Sequence, residues 1–184
     1  MRYAGRMRAL VLDPETSGLE KLLEIRRRSG LDRCDEVWGG VLHMVPAPNY
    51  RHASVQAQVI MILGPKARAA GFEVIDQTNL GEGEKDFRVP DVSMHRPGTS
   101  GTWQSTAPLV VEVVSPRDES WDKLPFYAAH HVDEVLIVDP LERSVHWLAL
   151  HDGEYRPIAR SGLIDLGARE LAAQIEWPPV DDEG

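Results

Sequence analysis

Residues 107–123 read APLVVEVVSPRDESWDK, and the run LVVEVV at 109–114 decides what kind of protein this is. Five of its six residues are Leu or Val, the composition of a strand covered on both faces, as in sheets flanked by helices. Glu112 interrupts that run. A lone ionised carboxylate in such a place is costly or takes up a proton, so it needs a cation, a hydrogen-bond network or an open cleft. The alternative is an edge strand with Glu112 facing water.

Working outward, the chain alternates between elements. Residues 15–29 place Leu19, Leu22, Leu23 and Ile25 near one side of an amphipathic helix ended by Gly30. EVWGGVLHMV reads as a β-hairpin about Gly39 and Gly40. From Arg51 to Ala70, Val55, Val59, Ile62 and Leu63 recur at helical spacing, with a kink or break expected near Gly64 and Pro65. FEVIDQTNL, DFRVPDVSMH and PLVVEVVS read as successive strands, with GEGE and PGTSG as turns between them. A short helix over 120–130, the buried strand DEVLIVDP, a hairpin about Asp152 and Gly153, and a short helix in GARELAAQI complete the pattern. The fold class is α/β or α+β: a central mixed β-sheet flanked by helices, with an N-terminal β-hairpin.

At 184 residues the chain suits one domain around a single core, with a helical segment over 1–33 and a frayed acidic tail over 176–184. Hydrophobic content of 42% and charged content of 27% are those of a globular protein. ALVL after the early arginines is far short of a signal-peptide core, and no apolar run is long enough to span a bilayer, so no membrane partner is expected. A single cysteine, Cys34, forbids an intrachain disulfide, reads as a small buried hydrophobe and makes a cytoplasmic setting the default. The net charge of −9 argues against a globally basic nucleic-acid surface. Residues 1–33 nevertheless hold eight Arg or Lys against five Asp or Glu, with Arg26, Arg27 and Arg28 read as a solvated helix face.

Asp91 in RVPDVS and Glu112 in VVEVVS are expected on strands adjacent in the sheet. Val89, Asp91 and Ser93 are expected on one face, Val110, Glu112 and Val114 on one face of the next. If both carboxylates meet without a counter-charge, one must hold a proton; a hard divalent cation removes that conflict. Ser120 is a candidate N-cap of the following helix, with Lys123 in its first turn. Asp91, Glu112 and Lys123 thus form an acid, acid, lysine set, although such a set also arises by chance in a charged chain. His130 and His131 suit a helix end, and Trp38, Trp103, Trp121 and Trp147 are read as core or interface residues rather than base-stacking platforms.

The segments PDV, PLVVEVVSP, Lys123 with Tyr127 four residues later, and VDEVLIVDP together resemble the Uma-type family of proteins described as restriction endonucleases, a branch of the PD-(D/E)XK nuclease superfamily. DEVWGGVLHMVPAPNYRHASVQAQV is similar to that family's hairpin with a leading glutamate and a histidine at the start of the main helix. The resemblance reaches from about Cys34 to Asp139 and continues more weakly through the hairpin to Leu171. It implies a restriction-endonuclease-like sheet in which Asp91 and Glu112 bind Mg2+ or Mn2+. Lys123 takes the role of the lysine that the superfamily places two residues after the glutamate, where Val114 stands here. Glu36 is implied as an outer metal ligand or water-holder, and His52 as a supporting residue; both are equally open to structural roles. The sequence departs from the family at the segment between Ser115 and Lys123, which looks shortened, at His131 in place of a glycine, and at Val135 and Leu136 in place of an aromatic pair; the last two read as packing changes.

The expected function is metal-dependent hydrolysis of DNA phosphodiester bonds by a homodimer, which would cut both strands about a two-fold axis. Its rivals are a catalytically inactive nuclease-like fold used as a binding or regulatory module, and a hydrolase of smaller phosphate esters.

Overall fold

The computed structural model describes residues 17–115 and 119–179. The early arginines, the ALVL run, the first part of the segment called shortened (116–118) and the last residues (180–184) lie outside the described residues.

Helix α1 spans Ser17–Ser29 and is followed by Gly30, whose φ of 64° only glycine adopts freely. Its basic run is not uniformly solvated. Arg27 and Arg28 face outward against Glu24, but Arg26 turns inward and grips Asp35 through Nε at 3.0 Å. Strands β1 (Glu36–Trp38) and β2 (Val41–His43) form the expected hairpin. Helix α2 runs Tyr50–Ala69, capped by Asn49 Oδ1, which accepts the His52 N–H at 2.9 Å. Of the kink or break expected near Gly64 and Pro65, a break is absent, for the helix runs on through Pro65 to Ala69. Met61, whose carbonyl Pro65 leaves without a donor, is an exposed residue, so water can satisfy it there. Val55, Val59, Leu63 and Ala67, four residues apart, form the buried stripe.

The two middle segments each split. FEVIDQTNL becomes β3 (Glu73–Asp76) and β4 (Asn79–Gly81); DFRVPDVSMH becomes β5 (Phe87–Arg88) and β6 (Val92–His95). β3 pairs with β6 and β4 with β5, so one antiparallel ribbon bends from one sheet into another. Gln77, at φ 49°, makes the bend on one side, and Pro90, which has no N–H for a ladder, breaks the other. Gly81 closes the ribbon: at φ 147° a Cβ there would lie 2.5 Å from Asp86 O.

The remaining elements are β7 (Trp103–Gln104), β8 (Leu109–Val113), a 3-10 turn over Ser120–Lys123, α3 (Leu124–Ala129), β9 (Glu134–Asp139), β10 (Ser144–His151), β11 (Glu154–Pro157) and α4 (Ala168–Gln174). The central mixed sheet is present, ordered β11-β10-β9-β8-β6-β3, and beside it the N-terminal hairpin joins a second mixed sheet ordered β2-β1-β5-β4-β7. β8 and β9 are parallel neighbours at the centre of the first. Their alternate residues feed two cores. Leu109, Val111, Leu136 and Val138 pack with the α2 stripe and with Leu171 of α4; Val110, Val135 and Ile137 pack with Phe126 and Tyr127 of α3 and with Leu80 of the second sheet. This double coverage is why β8 and β9 read as nearly unbroken apolar runs.

Three further expectations change. Residues 176–179 are not frayed, because Gln58 bonds both the N–H and the carbonyl of Glu176 while Arg51 bonds the Pro179 carbonyl. His131 is a backbone change rather than a packing one, for its φ of 54° is the conformation a glycine takes without cost. Cys34 is only half-buried. Among the described residues no helix is long and apolar enough to cross a membrane.

Candidate active site

Glu112, fourth residue of β8, shares its face with Val110 and points under α3. It is 2% exposed, so the edge-strand alternative fails and its carboxylate must be answered by protein groups. α3 supplies them. Lys123 Nζ lies 2.9 Å from Glu112 Oε2, and Tyr127 OH donates to Oε1. Residues four apart on a helix share one side, which is how both side chains reach a single carboxylate.

The local geometry differs from a helix capped by Ser120. Glu119 occupies the cap position of the 3-10 turn, Ser120 is buried inside it, and Lys123 is the first flanking residue of α3, making no capping bond. Its ammonium is instead bound at 2.9 Å by a second acid, Glu36 Oε1. Glu36, at the start of β1, also accepts the Val89 N–H at 2.8 Å and Trp38 Nε1–H at 2.7 Å. Both its oxygens are engaged by protein donors, so in this arrangement it orients Lys123.

Asp91 sits in the bend before β6, outside any strand, because Pro90 interrupts the ladder. Val92 pairs with Val111. One step further along the same register sets Asp91 opposite Glu112, where facing residues lie on one side of a sheet. Asp91 Oδ2 accepts the Val113 N–H at 2.7 Å and Oδ1 lies 3.0 Å from His52 Nε2. The other ring nitrogen of His52 lies 3.0 Å from Ser115 Oγ. His52 is thus both a helix-start residue, through its backbone, and a brace on Asp91, through its ring.

Three carboxylates face one ammonium. Burial first, then Asp91 and Glu36, push the Glu112 carboxyl up to about 8, although Lys123 and the Tyr127 hydroxyl oppose them. Burial alone would discharge Lys123, but Glu112 and Glu36 outweigh it and raise its pKa, so it stays protonated. Burial and the same acids keep Tyr127 a neutral donor. Cys34, next to the site, has its thiol raised by burial and then by Asp91, Asp35 and Glu36, the reverse of what a nucleophilic thiolate needs.

Among the described residues no three His, Cys, Asp or Glu side chains form a metal cage. The donor set still fits a hard cation, since magnesium is commonly held by one or two carboxylates and keeps several waters. Each oxygen of Asp91 and Glu112 accepts one hydrogen bond and retains a further lone pair. A divalent ion there would also answer the negative charge that Lys123 alone leaves in excess.

The column that holds these pieces together was not foreseen. The Arg88 guanidinium lies over the rings of Trp38 (4.3 Å) and Phe126 (4.0 Å), with His43 stacked on Trp38 at 4.3 Å and His130 against Phe126 at 4.2 Å. It joins the hairpin bearing Glu36 to the helix bearing Tyr127. An apolar residue two positions from Glu36 and a lone Arg between strands gave no sign that they would stack.

A family model described as "Uma2: Putative restriction endonuclease" matches residues 19–174. Among solved structures, a "putative nuclease belonging to DUF820" from Anabaena variabilis aligns with a TM-score of 0.62 and 15% identity, covering 76% of this chain and 90% of that one. At that identity the likeness is one of fold. A DrdV–DNA complex aligns over 84% of this chain and 12% of its own at 16% identity, with a TM-score of 0.43, and bears no weight here. No curated protein matches.

Proposed function

This chain belongs to the Uma2 family, and on that premise we propose that it is a metal-dependent endonuclease hydrolysing DNA phosphodiester bonds, with Asp91, Glu112 and Lys123 as its catalytic set. The observation that carries the reading is the Lys123 ammonium, held 2.9 Å from Glu112 on the neighbouring β8, with Asp91 opposite Glu112 in the sheet register. Asp91 and Glu112 would hold Mg2+ or Mn2+. Such an ion supplies a polarised phosphoryl oxygen and a water of lowered pKa. Lys123, kept charged by its two acids, offers a compact positive group to the phosphate as charge grows on it. Glu36 fixes where that ammonium stands, and His52 keeps the Asp91 carboxylate turned toward β8. A homodimer in a reducing cytoplasm is the accompanying proposal, resting on the lone Cys34 and on two-strand cleavage by a small domain.

The test is incubation of the purified protein with DNA and Mg2+ or Mn2+, beside a chelator control and the Glu112→Gln variant. Divalent-dependent cleavage that disappears with Gln supports the reading; equal cleavage by the variant, or none by the wild type, overturns it. A second reading, an inactive nuclease-like binding module, is favoured by one observation: every oxygen of the two acids already has a protein donor. That module would show no turnover on DNA, and turnover confined to model phosphodiesters would instead mark a hydrolase of small esters.

A further inference from the structure

We propose that Trp121 is a stacking platform for an unpaired base beside the scissile phosphate, which makes strands with an unstacked nucleotide, rather than intact duplex, the preferred substrate. This rests on the nuclease reading and deepens it.

The position follows from sheet register. Glu112 of β8 pairs with Ile137 of β9, and Ile137 pairs with His146 of β10. These three residues therefore form one row on one face of the sheet, where Ile137 and Leu148 are buried with Phe126 and Tyr127 of α3 while His146 is exposed. His146 stands two strands from Glu112, about 10 Å away at ordinary strand spacing. Trp121 packs edge-on against His146, with ring centroids 5.3 Å apart and planes at 68°. Trp121 also precedes Lys123 by two residues. The ring thus stands over the carboxylate's side of the sheet, against the strand two places from Glu112.

The ring is open and braced. Trp121 is 46% exposed, whereas Trp147 is 1% exposed and serves the core. His146 Nε2 is held 3.2 Å from Ser144 Oγ, and the Trp121 carbonyl accepts the Leu124 N–H where the 3-10 turn joins α3. Little ordering remains to be done when a base arrives. The charge points the same way. At −9 the chain has little to gain from phosphates alone, and stacking is the sequence-tolerant alternative source of affinity. Bases within a duplex already stack on their neighbours and present no free face, so the platform selects unpaired ones.

The test is binding of a fluorescent single-stranded oligonucleotide and of the same sequence as duplex, in Ca2+, by wild type, Trp121→Ala, Trp121→Phe and His146→Ala, with cleavage in Mg2+ measured alongside. Alanine at 121 is expected to weaken single-strand binding tenfold or more, with duplex affinity little changed and Phe retaining most of it. In cleavage of single strands the loss falls on KM rather than kcat. Wild-type cleavage with unchanged single-strand affinity in Trp121→Ala and Trp121→Phe overturns the platform and leaves the nuclease reading intact. A shift from dimer to monomer in Trp121→Ala, with nucleic-acid affinity unchanged, overturns it in favour of a protein interface. Failure of the wild type to bind or cleave any nucleic acid overturns both.

Discussion

Lys123 Nζ stands 2.9 Å from Glu36 Oε1, so the helix after β8 is tied to the N-terminal hairpin through the same ammonium that meets Glu112. The lysine closes a three-element junction as well as facing a prospective phosphate. Its removal leaves two buried carboxylates without a cation, which costs about 3–5 kcal/mol in comparable cases. Lys123→Met should therefore lose cleavage and also unfold at lower denaturant. Adding Glu36→Gln should restore part of the stability but none of the activity. Chemical denaturation of the four proteins of that cycle checks this, and strict additivity would show that the two residues are uncoupled.

Glu112 gives the fold a pH dependence. Its carboxyl is raised from the ordinary 4.5 to about 8, so the folded chain holds a proton that the unfolded chain releases earlier. The associated stability is complete below the unfolded pKa and lost as pH rises through the folded one. Lys123 stays charged throughout that window. In chelator, unfolding free energy should fall between about pH 5 and pH 8.5 by an amount on the order of a few kcal/mol. Glu112→Gln should flatten the curve; an unchanged slope in that variant would assign the effect elsewhere.

Tyr127 is fully buried and spends its hydroxyl on Glu112. Tyr127→Phe keeps the ring packing with Phe126 and deletes one bond to a buried acid, at a cost of roughly 1–3 kcal/mol. The expected readout is a lower thermal midpoint together with a weaker Mn2+ titration, since the carboxylate loses one of the contacts that set its direction. An unaltered Mn2+ affinity would confine Tyr127 to packing.

His131 sits at φ 54° on an exposed turn, its N–H bonded to Ala128 O. Glycine adopts that conformation without the Cβ penalty, so His131→Gly should stabilise the fold by up to about 1 kcal/mol and leave cleavage unaltered. A loss of stability, measured by denaturant titration, would mean the imidazole makes compensating contacts.

The helices, both hairpins and the strands β8 and β9 were legible because their signals are local: apolar spacing, glycine pairs, caps and breakers act within a few residues. LVVEVV by itself announced a doubly covered strand carrying one carboxylate that needed an answer. The residues around Asp91 show the limit of such signals. RVPDVS reads as one strand, yet Pro90 and the distant bend at Gln77 divide the ribbon between two sheets, and only the pairing of β3 with β6 and of β4 with β5 fixes where.

What the sequence determined by itself was the kind of element each stretch forms and the presence of two acids and a lysine at family-like spacing. Which groups answer Glu112 was decided only by the tertiary structure: Lys123 from the 3-10 turn and Tyr127 from α3, with Glu36 from the N-terminal hairpin sharing the same ammonium. The reason is physical. A side chain's propensity is felt by its immediate neighbours, whereas the cost of a buried charge is met by whatever the packed core brings within about 3 Å, and that proximity exists only once both sheets and α3 are assembled.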